Sequence, residues 1–405
     1  MRVVFVTDLF QPEMGYATVR LPVAMAKVQG VEVHVVTSGF HSPVQSLSES
    51  DRQLEMEKCK ERAGSVSSFE GVNIHFLDSS LTANTGMKML GLRKKFQELN
   101  PDIVQVFVHM GWSAIDGARL KKILNYKLFT GNHTTASVFP LCLNPKPFFH
   151  PRRFKEWLRR GLPGRFISSQ TEICYGATID CSYVAQNFLG VPAKKIKTVP
   201  LGVDTVYFHP AATDSEHKNA FELRSRLGVD AEEIMCVYTG KFTPDKNPLL
   251  LAQAVQALRQ KGEPFRAVFF GDGAQLAEML AVPDVIVHPF VHFSELGHLF
   301  RAADIGVWPT QESTSMIDCA ACGTPIIVND KLAAVERVEG NGLQYILGDV
   351  DDLAAKLLEL RDPARRRELG DFGARKIEEQ FSWNALVQIR IDDYRAALGN
   401  AKSRS

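Results

Sequence analysis

The run Ala303-Asp304-Ile305-Gly306-Val307-Trp308, continued by Pro309-Thr310-Gln311-Glu312-Ser313-Thr314-Ser315-Met316-Ile317-Asp318-Cys319-Ala320-Ala321-Cys322-Gly323-Thr324-Pro325, decides how this chain is read. Its first six residues have the apolar character of a buried strand, and Pro309 ends it because proline cannot donate to a ladder. Ser313, Thr314 and Ser315 are small hydroxyl residues that suit a helix N-terminus. Small residues follow from Cys319 to Gly323, and Pro325 opens a new apolar run, Ile326-Ile327-Val328. Two acids, Glu312 and Asp318, flank the hydroxyl cluster. A strand tip that delivers free amides and acids to a helix start can hold a phosphorylated, hydroxyl-rich ligand. The same residues also make an ordinary βα unit with solvated acids, and this stretch alone leaves both readings open.

Around it the βα rhythm repeats. Ile234–Tyr238 is a strand leading into Thr239-Gly240-Lys241-Phe242-Thr243-Pro244-Asp245-Lys246, then a helix from Pro248 to Lys261. Phe265–Phe270 is a strand ending in Gly271-Asp272-Gly273, Asp284–Val287 another, and Leu296–Ala303 a helix. Leu343–Leu347, two charged helices (Asp351–Arg361 and Pro363–Gln380) and a last helix after Phe381-Ser382-Trp383 complete this half. Lys241 and Lys246 straddle a strand-to-helix turn, the outline of a diphosphate site. It is not a Walker loop, which needs Gly-Lys-Ser/Thr at the helix start.

The first half opens the same way. Val3–Val6 is a continuous β-branched and aromatic run, as expected of a strand buried on both faces. A loop ending at Gly15, a helix toward Gly30 and the strand Val31–Thr37 make the start of a doubly wound α/β domain. No Gly-x-Gly-x-x-Gly is present, so the dinucleotide fingerprint is missing. Ser42–Ser68 is polar and reads as a mobile insertion. Val72–Leu77 is a strand, Met87–Leu99 a helix, Asp102–Val108 a strand, and Ser113–Leu124 a helix. Leu128-Phe129-Thr130 carries His133 just beyond a strand end, where an open α/β sheet faces its ligand crevice. His109 stands beyond the preceding strand, and for both histidines a structural hydrogen bond competes with a functional role.

Composition narrows the classes. At 405 residues two domains are expected. The formal net charge of +1 argues against a nucleic-acid-binding surface. The seven cysteines include Cys236 and Cys319 inside apolar runs, which suggests reduced thiols in a reducing, cytoplasmic compartment. Cys319-Ala-Ala-Cys322 lacks the second pair or histidines of a zinc site, so no metal is expected. The amino terminus does not read as a signal peptide, and no apolar run is long enough to span a bilayer.

Pro145–Phe166 breaks the rhythm. Seven Lys or Arg face one Glu, with Phe148, Phe149, Phe154, Trp157 and Phe166 interleaved. Such a segment can lie in the headgroup layer of an anionic membrane, or pack its aromatics on the domain and solvate its arginines.

Taken in order, Pro200-Leu201-Gly202-Val203-Asp204 with Phe208-His209-Pro210, then Gly240–Lys246, Gly271-Asp272-Gly273, Ala303-Asp304 and Ala320–Pro325 resemble the landmarks of retaining, nucleotide-sugar-dependent glycosyltransferases of the GT-B fold, the glycosyl transferases group 1 or family-four type. The resemblance runs from the opening strand to Phe381-Ser382-Trp383. It implies two Rossmann-like doubly wound domains facing a cleft: residues 1–198 for the acceptor, 199–382 for the sugar nucleotide, and a helix over 383–400 packing back on the first domain.

By position, the resemblance implies that Lys241 and Lys246 bind the diphosphate of a UDP- or GDP-sugar. The family usually has arginine at the first position, so Lys241 keeps the charge without the bidentate fork. His133 would sit at the donor sugar and reaction centre, the Gly15 amide would approach the diphosphate, and Val291 would meet the base. The family typically shows Glu-x7-Glu, whereas this chain has Glu312-x5-Asp318 in a shortened turn. Asp318 keeps its distance to Gly323-Thr324-Pro325 and inherits the ribose role. Glu312 inherits the sugar role, with Ser313, Thr314 and Ser315 replacing the usual Gly-Phe-Gly.

The expected reaction is hexosyl transfer to an acceptor hydroxyl with retention and no cofactor or metal, its leaving-group charge stabilised by lysines and amides. His133, Lys246 and Glu312 are the catalytic candidates. The basic aromatic segment suggests a carbohydrate or lipid-linked acceptor in polysaccharide or glycolipid assembly, with the protein peripheral to a membrane. A nucleotide-sugar epimerase on the same fold, or a non-catalytic nucleotide-sugar-binding protein, would share most of these residues.

Overall fold

Continuous β-branched and aromatic runs, buried on both faces, form the centre of each sheet. The computed structural model describes residues 1–12, 15–41, 48–81, 87–143 and 150–402. Its contacts divide the chain into two compact units: Met1–Leu201 with Leu386–Ser405, and Gly202–Ala385.

In the first unit, β1 (Arg2–Val6), α1 (Ala17–Ala26), β2 (Glu32–Ser38), α2 (Glu49–Arg62), β3 (Val66–Phe69) and β4 (Val72–Leu77) come first. Then follow β5 (Ser79–Leu81), β6 (Met87–Met89), α3 (Leu92–Leu99), β7 (Ile103–Val106), α4 (Gly111–Lys121) and β8 (Lys127–Asn132). After these come α5 (Pro140–Leu143), α6 (Pro151–Glu156), α7 (Leu162–Gln170), β9 (Thr171–Gly176), α8 (Ile179–Asn187) and β10 (Ile196–Thr198). Eight strands make one sheet in the order β10-β9-β8-β7-β1-β2-β4-β3, and β5 and β6 form a separate hairpin. All neighbours in the large sheet are parallel except β3 with β4. Val4, Val6, Val104, Val106 and Leu128 are fully or almost fully buried at its centre.

Two local expectations are corrected. The polar segment Ser42–Ser68 is not a mobile insertion where it is described: α2 occupies Glu49–Arg62 and β3 follows. Ser48 caps α2 by accepting from the Asp51 amide, Glu55 accepts from the His41 amide at 3.0 Å, and Cys59 is buried. Residues 42–47 lie outside the described residues. Met87–Leu99 is not one helix but β6 followed by α3, because Gly91 takes φ +81° at the N-cap and breaks the backbone between them.

The second unit runs α9 (Asp214–Arg226), β11 (Ile234–Thr239), α10 (Leu249–Gln260), β12 (Phe265–Phe270), α11 (Leu276–Leu280), β13 (Ile286–His288), α12 (Phe293–Ala302), β14 (Ile305–Trp308), α13 (Ser315–Ala321), β15 (Ile326–Asn329), β16 (Gly342–Tyr345), α14 (Val350–Glu359) and α15 (Pro363–Gln380). Six parallel strands form its sheet in the order β13-β12-β11-β14-β15-β16. The order reverses direction at β11 and β14, whose strand ends carry the lysine turn and the acid loop. Strand ends at such a switch point are where open α/β sheets leave a crevice.

The last helix, α16 (Trp383–Lys402), begins in the second unit and continues in the first. There Tyr394 donates to the Gln105 side chain, and the Arg390 guanidinium lies 4.7 Å from the centroid of the Tyr175 ring. At its start, Val203 and Ser382 form an isolated parallel bridge, and a Cβ on Gly202 would come 2.4 Å from the Trp383 ring. Two of the motifs far apart in sequence, Pro200–Asp204 and Phe381–Trp383, thus meet there.

Candidate functional site

The tips of β11 and β12 touch closely. A Cβ on Gly271 would lie 1.8 Å from the Gly240 carbonyl oxygen, and one on Gly273 would lie 2.4 Å from the Phe242 carbonyl oxygen. Glycine at these positions lets the two turns pack backbone to backbone. Tyr238 donates its hydroxyl to the Lys241 carbonyl at 2.9 Å, which fixes the start of the lysine turn. Lys241 is exposed, and Lys246 is half-buried at the other end of that turn.

The acid loop is anchored by polar groups beneath it. Trp308 donates its indole N–H to the Thr239 carbonyl at 3.1 Å, linking the ends of β14 and β11. The Pro309 carbonyl accepts from Tyr345 Oη at 2.6 Å and Asn329 Nδ2 at 3.1 Å. Lys246 Nζ then donates to the Glu312 main-chain carbonyl at 3.1 Å. The Glu312 carboxylate accepts from the Ala334 amide at 3.2 Å, and its other oxygen is 3.8 Å from Arg337 Nη1. Ser313 Oγ accepts from the Ser315 amide at 3.3 Å where α13 begins, and Thr314 precedes that helix without capping it through its side chain.

Asp318 sits in α13 and is 8% exposed. Burial pushes its pKa up to about 8; Arg337 opposes the shift and Asp204 adds to it. A buried carboxyl group needs polar partners, which a hydroxyl-bearing ligand can supply. Desolvation also lowers the pKa of Lys246, opposed by Asp245 and Glu312.

The structure therefore brings Lys246, Glu312, Ser313 and Ser315 into one bonded cluster, with Thr314 and Asp318 in the same short stretch. Lys241 lies in the same turn as Lys246 but is exposed. Val291 lines a cavity of about 490 Å³ with Phe270, His288, Leu223 and Leu299, on the side of the sheet's β13 edge. Arg337 escaped the sequence reading. A single arginine in a short turn between two strands carries no pattern, yet it is 4% exposed and contacts the acid loop.

Gly15 and His133 belong to the first unit. Gly15 has φ +64°, a backbone state that favours glycine. His133 follows β8 and is exposed. Desolvation lowers its pKa, and the Arg390 charge acts in the same direction. His109 is a structural residue: it is fully buried, with Nδ1 2.7 Å from Thr130 Oγ1 and Nε2 2.9 Å from Ser168 Oγ.

Among the described residues no group of three or more His, Cys, Asp or Glu side chains is placed to hold a metal ion. Cys319 and Cys322 are buried, and burial raises both thiols far above the range of a reactive thiolate. No helix among the described residues is long and apolar enough to cross a membrane.

Comparison with known proteins agrees with this geometry. Residues 233–362 match the family model described as glycosyl transferases group 1. A D-inositol 3-phosphate glycosyltransferase of Arthrobacter sp. (strain FB24) is 27% identical over 310 residues, covering 72% of this chain and 70% of that protein. A protein of the same name from Kineococcus radiotolerans is 30% identical, over 52% of this chain and 53% of its own length, so the chain spans about half of that relative. The structure of Anabaena Alr3699/HepE in complex with UDP superposes with a TM-score of 0.67 at 15% identity, covering 98% of this chain and 100% of that one. Residues 233–362, which carry the lysine turn and the acid loop, thus match the glycosyl transferases group 1, and the two doubly wound units take the GT-B fold.

Proposed function

We propose that this protein transfers a hexosyl group from a UDP- or GDP-sugar to an acceptor hydroxyl with retention of anomeric configuration. The observation that carries the reading is the pairing of a buried carboxyl, Asp318, with an acid loop held by Lys246. Asp318 accepts hydrogen bonds from the ribose hydroxyls. Lys241 and Lys246 neutralise the diphosphate. Amides and hydroxyls of Ser313, Thr314 and Ser315 meet the sugar or the β-phosphate, Glu312 faces the transferred sugar, and Val291 adjoins the base. His133 serves the reaction centre.

Charge developing on the leaving diphosphate is stabilised by preorganised lysines and amides, which need no metal to act. The leaving phosphate takes up the acceptor proton as the new glycosidic bond forms. The UDP bound to Anabaena Alr3699/HepE supports a nucleotide at this fold. The relatives' name supports a phosphorylated or polyhydroxylated acceptor.

The acceptor is carbohydrate or lipid-linked, in polysaccharide or glycolipid assembly, and the protein works at an anionic membrane face. Support comes from the described part of the basic segment. Phe154, Leu158 and Leu162 are 59%, 45% and 47% exposed at helical spacing, with Arg152 and Lys155 exposed among them. Residues 145–149 of that segment, including Phe148 and Phe149, lie outside the described residues.

The decisive experiment is a thermal-shift panel of UDP- and GDP-sugars followed by turnover of the stabilising donor. One donor should raise the melting temperature by mass action and be hydrolysed slowly without acceptor. Stabilisation with no hydrolysis or transfer would make the protein a non-catalytic binder, and no stabilisation by any of them would end the reading.

A further inference from the structure

Arg337 occupies the turn Val335–Arg337 between β15 and β16. Its Nη1 donates to the Ser313 carbonyl at 3.3 Å and stands 3.8 Å from Glu312 Oε2, while its Nε is buried without a partner. The residue before the turn, Ala334, supplies the amide that binds the other Glu312 oxygen. One short segment therefore holds Glu312 at both oxygens and Ser313 at its carbonyl.

That segment is itself clamped. Lys376 on α15 is 8% exposed and donates to the Glu336 and Glu339 carbonyls, each at 2.8 Å, and to the Asn341 side-chain oxygen. These bonds fall on both sides of Arg337 in sequence. A buried ammonium needs such acceptors, so Lys376 and the turn constrain each other. The clamp limits how far the guanidinium can move away from the acid loop.

We propose that Arg337 is a positioning residue for the acid loop, holding Glu312 and Ser313 in place. The inference rests on the reading of this site as one for a nucleoside diphosphate. The charged groups around Asp318 are Arg337, which favours the carboxylate, and Asp204, which disfavours it. Lys246 and Glu312 border the loop, and Glu336, Glu339 and Lys376 border the turn. Arg337 is the positive charge felt by Asp318, so its removal leaves burial and Asp204 unopposed.

The test measures UDP and GDP binding by calorimetry on the full chain, from about pH 6 to about pH 9, for wild type, Arg337→Met, Arg337→Gln and Arg337→Lys. Melting temperatures are recorded at each pH. Wild-type affinity for the nucleotide that binds should rise with pH through the titration of Asp318. Both neutral variants should move that rise upward by about one pH unit, which weakens binding about tenfold below it. Arg337→Lys should restore its position. If the methionine variant does not fold, the glutamine variant, which keeps a donor and loses the charge, decides the matter.

A folded neutral variant with the wild-type pH profile would overturn the inference, as would a lysine variant that behaves like the neutral ones. Asp318→Asn and Lys246→Ala run in parallel separate the two levels. If both bind UDP and GDP as wild type does, the site itself has been misread. If both lose binding while the Arg337 variants keep the wild-type profile, the inference alone fails.

Discussion

The ε-ammonium of Lys246 donates to the main-chain carbonyl of Glu312 at 3.1 Å, joining the lysine turn after β11 to the acid loop after β14. A charged donor on a neutral carbonyl leaves the lysine's charge uncompensated at that contact, so it remains available to a phosphate. It also makes the two loops interdependent. Replacing Lys246 by alanine removes both a loop contact and the phosphate's counter-charge. Turnover of the donor should fall by about 10² or more. Steady-state rates with the donor found by thermal shift would check this, and turnover near wild type would remove Lys246 from the mechanism.

Asp318 gives a pH dependence of stability whose sign can be worked out. Its pKa is about 8 in the folded chain against an ordinary carboxylate value when unfolded. Between those values the folded state holds a proton that the unfolded state has released, so stability falls as pH rises toward 8. Asp318→Asn, which stays neutral, should therefore melt higher than wild type at pH 8 while losing nucleotide affinity. Melting curves at pH 5 and pH 8 test the first part; a variant less stable than wild type at both would contradict it.

The buried histidines act with the opposite slope. Burial lowers His109 and His75 to about 4, so both stay neutral in the folded chain while the unfolded chain protonates them near 6.5. Their contribution is complete above 6.5 and is lost as pH falls toward 4. Urea unfolding across that interval should show His75→Gln with a shallower acid loss than wild type. An unchanged slope would show that His75 does not titrate as its burial requires.

Gly271→Ala should destabilise the second unit by about 1–3 kcal/mol or more, since its methyl would meet the Gly240 carbonyl oxygen at 1.8 Å. Chemical denaturation of the variant reads this directly. A loss under half a kcal/mol would mean that the two strand tips separate easily.

The exposed stripe of Phe154, Leu158 and Leu162 yields a binding prediction. Wild type should float with vesicles containing phosphatidylglycerol and lose most of that association at high salt, because basic residues supply the attraction. Phe154→Asp with Leu158→Asp should stay with the soluble fraction. Absence of wild-type flotation would remove the membrane part of the proposed function.

Much of the fold was legible because parallel strands buried on both faces need uninterrupted apolar runs, as in Val3–Val6 and Ile326–Val328. Helix α2 was not legible. Its buried residues are Glu55 and Cys59, so it carries almost no apolar stripe and its stability rests on a cap and a carboxylate–amide bond. The split between β6 and α3 depended on the left-handed state of Gly91, which a glycine permits without announcing. At the site, Asp318 and Lys246 stood out through spacing from Gly323-Thr324-Pro325 and Gly240. Arg337 did not, because its importance comes from a contact with residues more than twenty positions away.

The bridge between Val203 and Ser382 has a topological consequence. The Val203 amide donates to the Phe381 carbonyl at 2.8 Å, and the Trp383 amide donates to the Val203 carbonyl at 3.1 Å. The second unit is thus a closed loop whose two ends are bonded to each other. Ends that lie together are the arrangement that tolerates circular permutation. Residues 202–385 alone should fold around their six-stranded sheet, and a short linker joining the ends near 203 and 382 should allow new termini to be opened elsewhere in the unit.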